Sequence, residues 1–174
     1  MTRRQKNEAV AKQLLKDCHI TRPPVRVEMI ARQIGATIRY EPFEGDISGM
    51  VYRNKDHVII GVNSLHHPNR QRFTIAHEIG HVLLHKGTEV YIDRTYRVNM
   101  RNNVSSQAVD KDEIEANRFA ASLLMPEHML VEDLKDIEID FESEDDLADL
   151  AAKYEVSLQA MAIRLSNIGL ISVP

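Results

Sequence analysis

Residues 72–85 read RFTIAHEIGHVLLH, with His77, Glu78 and His81 forming the pattern H-E-x-x-H. The stretch reads as part of an amphipathic helix over residues 69–86 that Pro68 and Asn69 open. Positions four apart on an α-helix differ by about 40° in azimuth and stack one above the other. Two imidazoles placed in that way can chelate one metal ion, and Glu78, beside the first, can reach a reacting water without being a ligand. Gly80 costs a helix interior about 1 kcal/mol relative to alanine, so it calls for a local reason such as the close approach of another segment. A single helical histidine is more often a surface or hydrogen-bonded residue; the complete pattern on a helix points to a metal site.

A catalytic metal site normally takes three protein ligands, so two histidines leave it one short. Downstream, His85 and His128 are the remaining histidines, but residues 112–126 read DEIEANRFAASLLMP. Glu113 and Asn117 are four apart and share a helix face. Glu113 is therefore the candidate third ligand, with Asn117 accepting a hydrogen bond from the outer nitrogen of a ligand imidazole. Glu115 is the competing carboxylate; it projects away from Glu113 and reads as a surface charge paired with Arg118. The plainer role for Glu113 is a first-turn acid in a helix over 111–125, capped by Asp110 and ended by Pro126.

Upstream, residues 3–18 and 26–34 read as helices, the first broken by Pro23 and Pro24 and the second ended by Gly35. Alternation at Ile38 and Tyr40, then residues 47–53 (ISGMVYR) and 57–63 (HVIIGVN) around the turn at residues 54–56, gives three strands. Residues 87–109 are polar and read as an irregular connection long enough to carry function. In the tail, residues 144–153 and 158–167 read as helices capped by Ser143 and Ser157, with Gly169 after the second. Leu147, Leu150, Ala151, Met161 and Leu165 are the expected core positions of that pair.

The chain has 174 residues, a net charge of -4, 43% hydrophobic residues and one cysteine, Cys18. The composition supports a packed core, argues against a chiefly nucleic-acid-holding protein, and excludes an intramolecular disulfide or a thiolate metal cluster. The charged N-terminal stretch lacks the apolar core of a signal peptide, and no apolar run is long enough for a bilayer span. The expected location is the cytoplasm. Between residues 132 and 149 ten acidic residues stand against Lys135 alone.

In FTIAHEIGHVLLH, EIEANRFAASLLMP and the lead-in ISGMVYRNKDHVIIGVN, the chain resembles the ImmA/IrrE family of metallopeptidases over about Arg26 to Met129. The resemblance implies an α+β (mixed α/β) fold: a small three-stranded sheet packed on a zincin-like H-E-x-x-H helix, further helices, and a C-terminal helical pair. Residues 1–130 would be the metallopeptidase domain and 131–174 a helix-turn-helix-like segment packed on it. The resemblance also points to Glu113 rather than Glu115 as ligand, and Asn117 stands where many relatives carry aspartate. The implied activity is a zinc endopeptidase that cleaves a helix-turn-helix repressor and so relieves repression. Mn²⁺ or Fe²⁺ would also suit a His, His, Glu set.

On this reading Glu78 is the general base. Tyr52, Tyr91, Tyr96 and Arg97 are the candidate oxyanion donors, and an extended substrate would add to a sheet edge at Gly49, Met50 and Val51. The alternative is a metal-containing module that sequesters a repressor without cutting it. Direct DNA binding finds little support, because Arg164 is the only basic residue in the second tail helix and the acidic run lies just upstream.

Overall fold

The structure, a computed structural model, describes residues 3–85, 90–94, 107–135 and 144–171. Its contacts group the chain into two compact units, residues 27–120 and residues 1–26 with 121–174. The N-terminal helix thus groups with the C-terminal helices, which differs from a division at residue 130.

The unit of residues 27–120 contains helix α2 (Val27–Gln33), strands β1 (Ala36–Glu41), β2 (Ile47–Arg53) and β3 (Val58–Asn63), helix α3 (Pro68–Leu84), strand β4 (Val90–Arg94) and most of helix α4 (Gln107–Leu124). Gly35 (φ 79°) ends α2 in the left-handed conformation that a missing Cβ makes inexpensive. Asn54 makes the β2–β3 turn by accepting the backbone N–H of Asp56 (2.9 Å) and His57 (2.7 Å) on Oδ1.

The three expected strands form, and the sheet has a fourth, in the order β1-β3-β2-β4. β1 runs parallel to β3, while β2 is antiparallel to both β3 and β4. β4 comes from the stretch read as irregular, and it moves the edge of the sheet. Gly49, Met50 and Val51 pair with β3 on one side and β4 on the other, so they are not the free edge expected of them.

α3 packs on β2, β3 and α2. His67 caps it by accepting the N–H of Asn69 (3.2 Å), and Pro68 occupies the first turn, where a missing N–H costs nothing. All eight residues from Thr74 to His81 are buried, which marks a helix enclosed on every side. At its other end Arg53 of β2 donates from Nη2 to the carbonyl of Val82 (2.9 Å), a cation placed on the negative end of the helix. α4 starts at Gln107, three residues before Asp110. That residue therefore lies inside the helix instead of capping it, and Glu113 stands in the second turn.

The second unit holds α1 (Arg3–Asp17), α5 (Glu127–Leu134), α6 (Glu144–Tyr154) and α7 (Leu158–Asn167), with α4 from Ala121 onward. α5 was not foreseen: Pro126 ends α4 and also precedes the next helix. Ser157 caps α7 by accepting the N–H of Ala160 (3.1 Å). Ser143 lies outside the described residues. Leu150, Ala151, Met161 and Leu165 are buried, whereas Leu147 is half-buried. Arg164 is itself 4% exposed, donating from Nη1 to Glu8 (2.6 Å) and from Nε to the carbonyl of Met125 (2.9 Å). The one basic side chain of α7 is thus engaged inside the unit.

Candidate metal centre

The crossing of α3 with α4 builds the site. A Cβ at Gly80 would lie 3.1 Å from Phe119 Cδ1 and 3.2 Å from the Ala116 Cα, so the glycine sets how closely the helices approach. Glu113 lies just under one turn before Ala116, and the approach carries its carboxylate between the two imidazoles of α3. Its Oε2 is 3.2 Å from His77 Nε2 and its Oε1 is 3.2 Å from His81 Nε2. The two Nε2 atoms are 2.9 Å apart, with ring centroids 4.7 Å from each other in an edge-to-face arrangement. One donor atom from each of His77, His81 and Glu113 falls within 4.8 Å of the others.

The outer faces of both rings are also occupied. His77 Nδ1 lies 3.0 Å from Asn117 Oδ1, the contact expected of that asparagine. His81 Nδ1 lies 3.0 Å from His85 Nδ1. His85 Nε2 in turn faces Glu115 Oε2 at 3.5 Å and Asp112 Oδ1 at 3.6 Å. Glu115 therefore turns toward this histidine, which corrects its reading as a surface charge.

The electrostatics suit a cation. Burial lowers the pKa of His81 below the ordinary histidine value, the Glu113 hydrogen bond opposes this, and the neighbouring His77 and His85 push it further down. For Glu113, burial favours the neutral acid, but hydrogen bonds from His77 and His81 prevail and hold its pKa at about 2. A neutral imidazole and an ionised carboxylate are the forms in which these groups bind a divalent cation, so the donor set fits a metal.

Glu78 is fully buried on α3, between the two histidines in sequence. It lies against β2: a Cβ at Gly49 would come within 2.9 Å of Glu78 Oε1 and 2.4 Å of Thr74 Cγ2. The missing side chain at Gly49 therefore makes room first for α3 side chains, and then for the Gly61 carbonyl of β3 at 3.0 Å.

The expected oxyanion donors fare differently. Tyr52 alternates with Val51 and stands on the sheet face away from α3, 41% exposed, with its hydroxyl accepting from Asn54 Nδ2 (3.4 Å). The structure does not bring it to the site. Tyr91 pairs with Val51 in the β2–β4 register, and its backbone alone is described. Tyr96 and Arg97 lie outside the described residues.

An H-E-x-x-H helix with a carboxylate brought to its two histidines from a second helix, over a small mixed sheet, is the arrangement of a metallopeptidase with a metal cofactor. The chain belongs to the family described as the IrrE N-terminal-like domain, whose model matches residues 31–166. It is 34% identical over 133 residues to metallopeptidase ImmA of Bacillus subtilis, covering 74% of this chain and 68% of that protein. It is 32% identical over 113 residues to the radiation response metalloprotease IrrE of Deinococcus radiodurans, covering 64% of this chain and 32% of that one. A solved structure of a Mycobacterium tuberculosis transcriptional regulator shares the fold, with a TM-score of 0.59 at 13% identity over 93% of this chain and 46% of that one. Among the described residues, no helix is long and apolar enough to cross a membrane.

Proposed function

We propose that the chain is a zinc-dependent endopeptidase whose substrate is a helix-turn-helix transcriptional repressor, its ion held by His77, His81 and Glu113. The observation that carries this reading is the convergence of those three donors within 4.8 Å, two of them on the helix that also buries a second, non-ligating acid, Glu78. Zinc bound there would polarise the scissile carbonyl and acidify the attacking water.

The chain's own groups do the rest. Glu78 takes the proton from the attacking water and returns it to the leaving amine, the two transfers of peptide hydrolysis. Its burial against β2 keeps it out of bulk water. Asn117 accepts from His77 Nδ1, which leaves Nε2 free for the cation. An extended substrate adds to β4, the outer strand next to β2, through backbone hydrogen bonds that tolerate many sequences. The repressor as substrate rests on the family resemblance. A purely structural metal site would be closed by a fourth ligand and would need no base such as Glu78, which favours cleavage over sequestration.

The test is mass spectrometry of candidate repressors incubated with the zinc-loaded protein and with Glu78→Gln. One cut by wild type and none by the variant is expected. Intact repressor bound equally to both would refute cleavage and leave a sequestering module. Metal analysis of the purified protein separates zinc from manganese and iron.

A further inference from the structure

We infer that His85 is a positioning residue of the metal centre: it fixes His81 in the tautomer that presents Nε2 to the cation. The inference rests on the reading of His77, His81 and Glu113 as ligands.

His77, His81 and His85 repeat every fourth residue and so share one face of α3. The third imidazole does not join the other two at the cluster. His85 is 8% exposed and leaves the helix in an extended conformation (φ -114°, ψ 95°), its N–H still bonded to the His81 carbonyl at 3.2 Å. Arg53 Nη1 donates to its carbonyl at 3.4 Å, which fixes the backbone at this exit. The ring folds back on His81, with centroids 5.1 Å apart and the two Nδ1 atoms 3.0 Å from each other.

The proton inventory then has one solution. Of two imidazole nitrogens at hydrogen-bond distance, one donates and the other accepts. A His81 that ligates through Nε2 carries its proton on Nδ1, so His85 Nδ1 must be the bare acceptor and His85 holds its own proton on Nε2. Among the described residues, the carboxylates of Glu115 and Asp112 face that Nε2, at 3.5 and 3.6 Å. Acidic groups there favour a proton on Nε2. α4 thus acts on the centre three times: Glu113 enters it, Asn117 backs His77, and Asp112 with Glu115 back the histidine that backs His81.

The test uses the full-length zinc-loaded chain and two readouts other than cleavage. Nitrogen-15 NMR of the histidine rings should show His81 protonated on Nδ1 and His85 on Nε2. Zinc affinity, measured by competition with a chromophoric chelator, should fall about 10–100-fold in His85→Ala. His85→Asn restores an acceptor near the lost Nδ1 and should recover most of that loss, which simple filling of space would not do. His85 found protonated on Nδ1, an unchanged affinity in His85→Ala, or equal losses in the Ala and Asn variants would each overturn the inference. The ring spectra of the wild type decide the matter even if His85→Ala fails to fold. His81→Ala separates the two readings: if it binds zinc as tightly as wild type, the metal centre itself is misassigned. If it loses zinc while His85→Ala does not, only the role of His85 falls.

Discussion

Replacing Gly49 with alanine should injure stability and catalysis through two different neighbours. The added Cβ would lie 2.4 Å from Thr74 Cγ2, 2.9 Å from Glu78 Oε1 and 3.0 Å from the carbonyl oxygen of Gly61, where ordinary contact begins near 3.4 Å. Thr74 cannot yield cheaply, because it is buried, β-branched and fixed on a helix. Overpacking of this kind costs about 1–3 kcal/mol. Glu78 differs: its carboxylate ends a flexible side chain and can retreat at little energetic cost, but a misplacement of ~1 Å can slow a reaction about 100-fold. Thr74→Ser removes the methyl that clashes and alone should lose about 0.8 kcal/mol of buried apolar contact. Combined with Gly49→Ala it should be more stable than the two separate losses predict, by about 1 kcal/mol or more. The displaced Glu78 is not restored by that change, so cleavage should stay slow in the double variant. Urea midpoints and cleavage rates on a protein substrate that the wild type cuts give the two readouts. Additive stabilities, or wild-type cleavage in the double variant, would refute the division of labour between Thr74 and Glu78.

Asn117→Ala removes the acceptor behind His77 and should weaken metal binding about 10–100-fold; a chelator competition that finds no change would remove Asn117 from the centre. Arg53→Met deletes the donors to the carbonyls of Val82 (2.9 Å), His81 (3.4 Å) and His85 (3.4 Å) and should cost about 1–2 kcal/mol in urea unfolding. The native pKa of Glu113, about 2, lies below the ordinary 4.5. The ionised carboxylate therefore stabilises the fold fully above about pH 4.5, and that stabilisation drains away as the pH falls toward 2. Chelator-treated Glu113→Gln should accordingly lose less stability than wild type on acidification through that window, and equal slopes would count against the geometry.

The parts of the fold legible in the sequence were those with a local cause. The strand pair around Asn54 carries its turn chemistry, α3 carries Pro68 at its start, and Ser157 caps α7; each is a short-range signal. Gly80 announced a close approach without naming the partner, which proved to be Ala116 and Phe119 of α4. What the sequence concealed depends on pairing between distant residues. β4 is five residues long, and its place beside β2 is a tertiary fact. Without it Gly49 passes for an edge residue. Glu115 passes for a surface charge for a similar reason, since the histidine it faces lies 30 positions earlier in the chain. α5 was hidden because Pro126 reads equally well as the end of one helix and the approach to another.

Two missing methyl groups account for most of the site's geometry. A helix enclosed along eight consecutive residues would ordinarily be apolar all round, yet Thr74, His77, Glu78 and His81 lie within that stretch. Polar groups persist there only if neighbours satisfy or pair them. Gly49 opens the β2 side, so that Thr74 and Glu78 fit against the sheet. Gly80 opens the α4 side, so that Glu113 can reach both imidazoles. The two requirements are coupled through α3: a Cβ at Gly80 would press on the Ala116 backbone, and α4 could withdraw only by taking Glu113 with it. A Cβ at Gly49 would leave Glu113 in place and move Glu78 instead. On the proposed roles of Glu113 and Glu78, cation binding and proton transfer depend on separate contacts of one helix, and substitutions at these two glycines should disturb one function without the other.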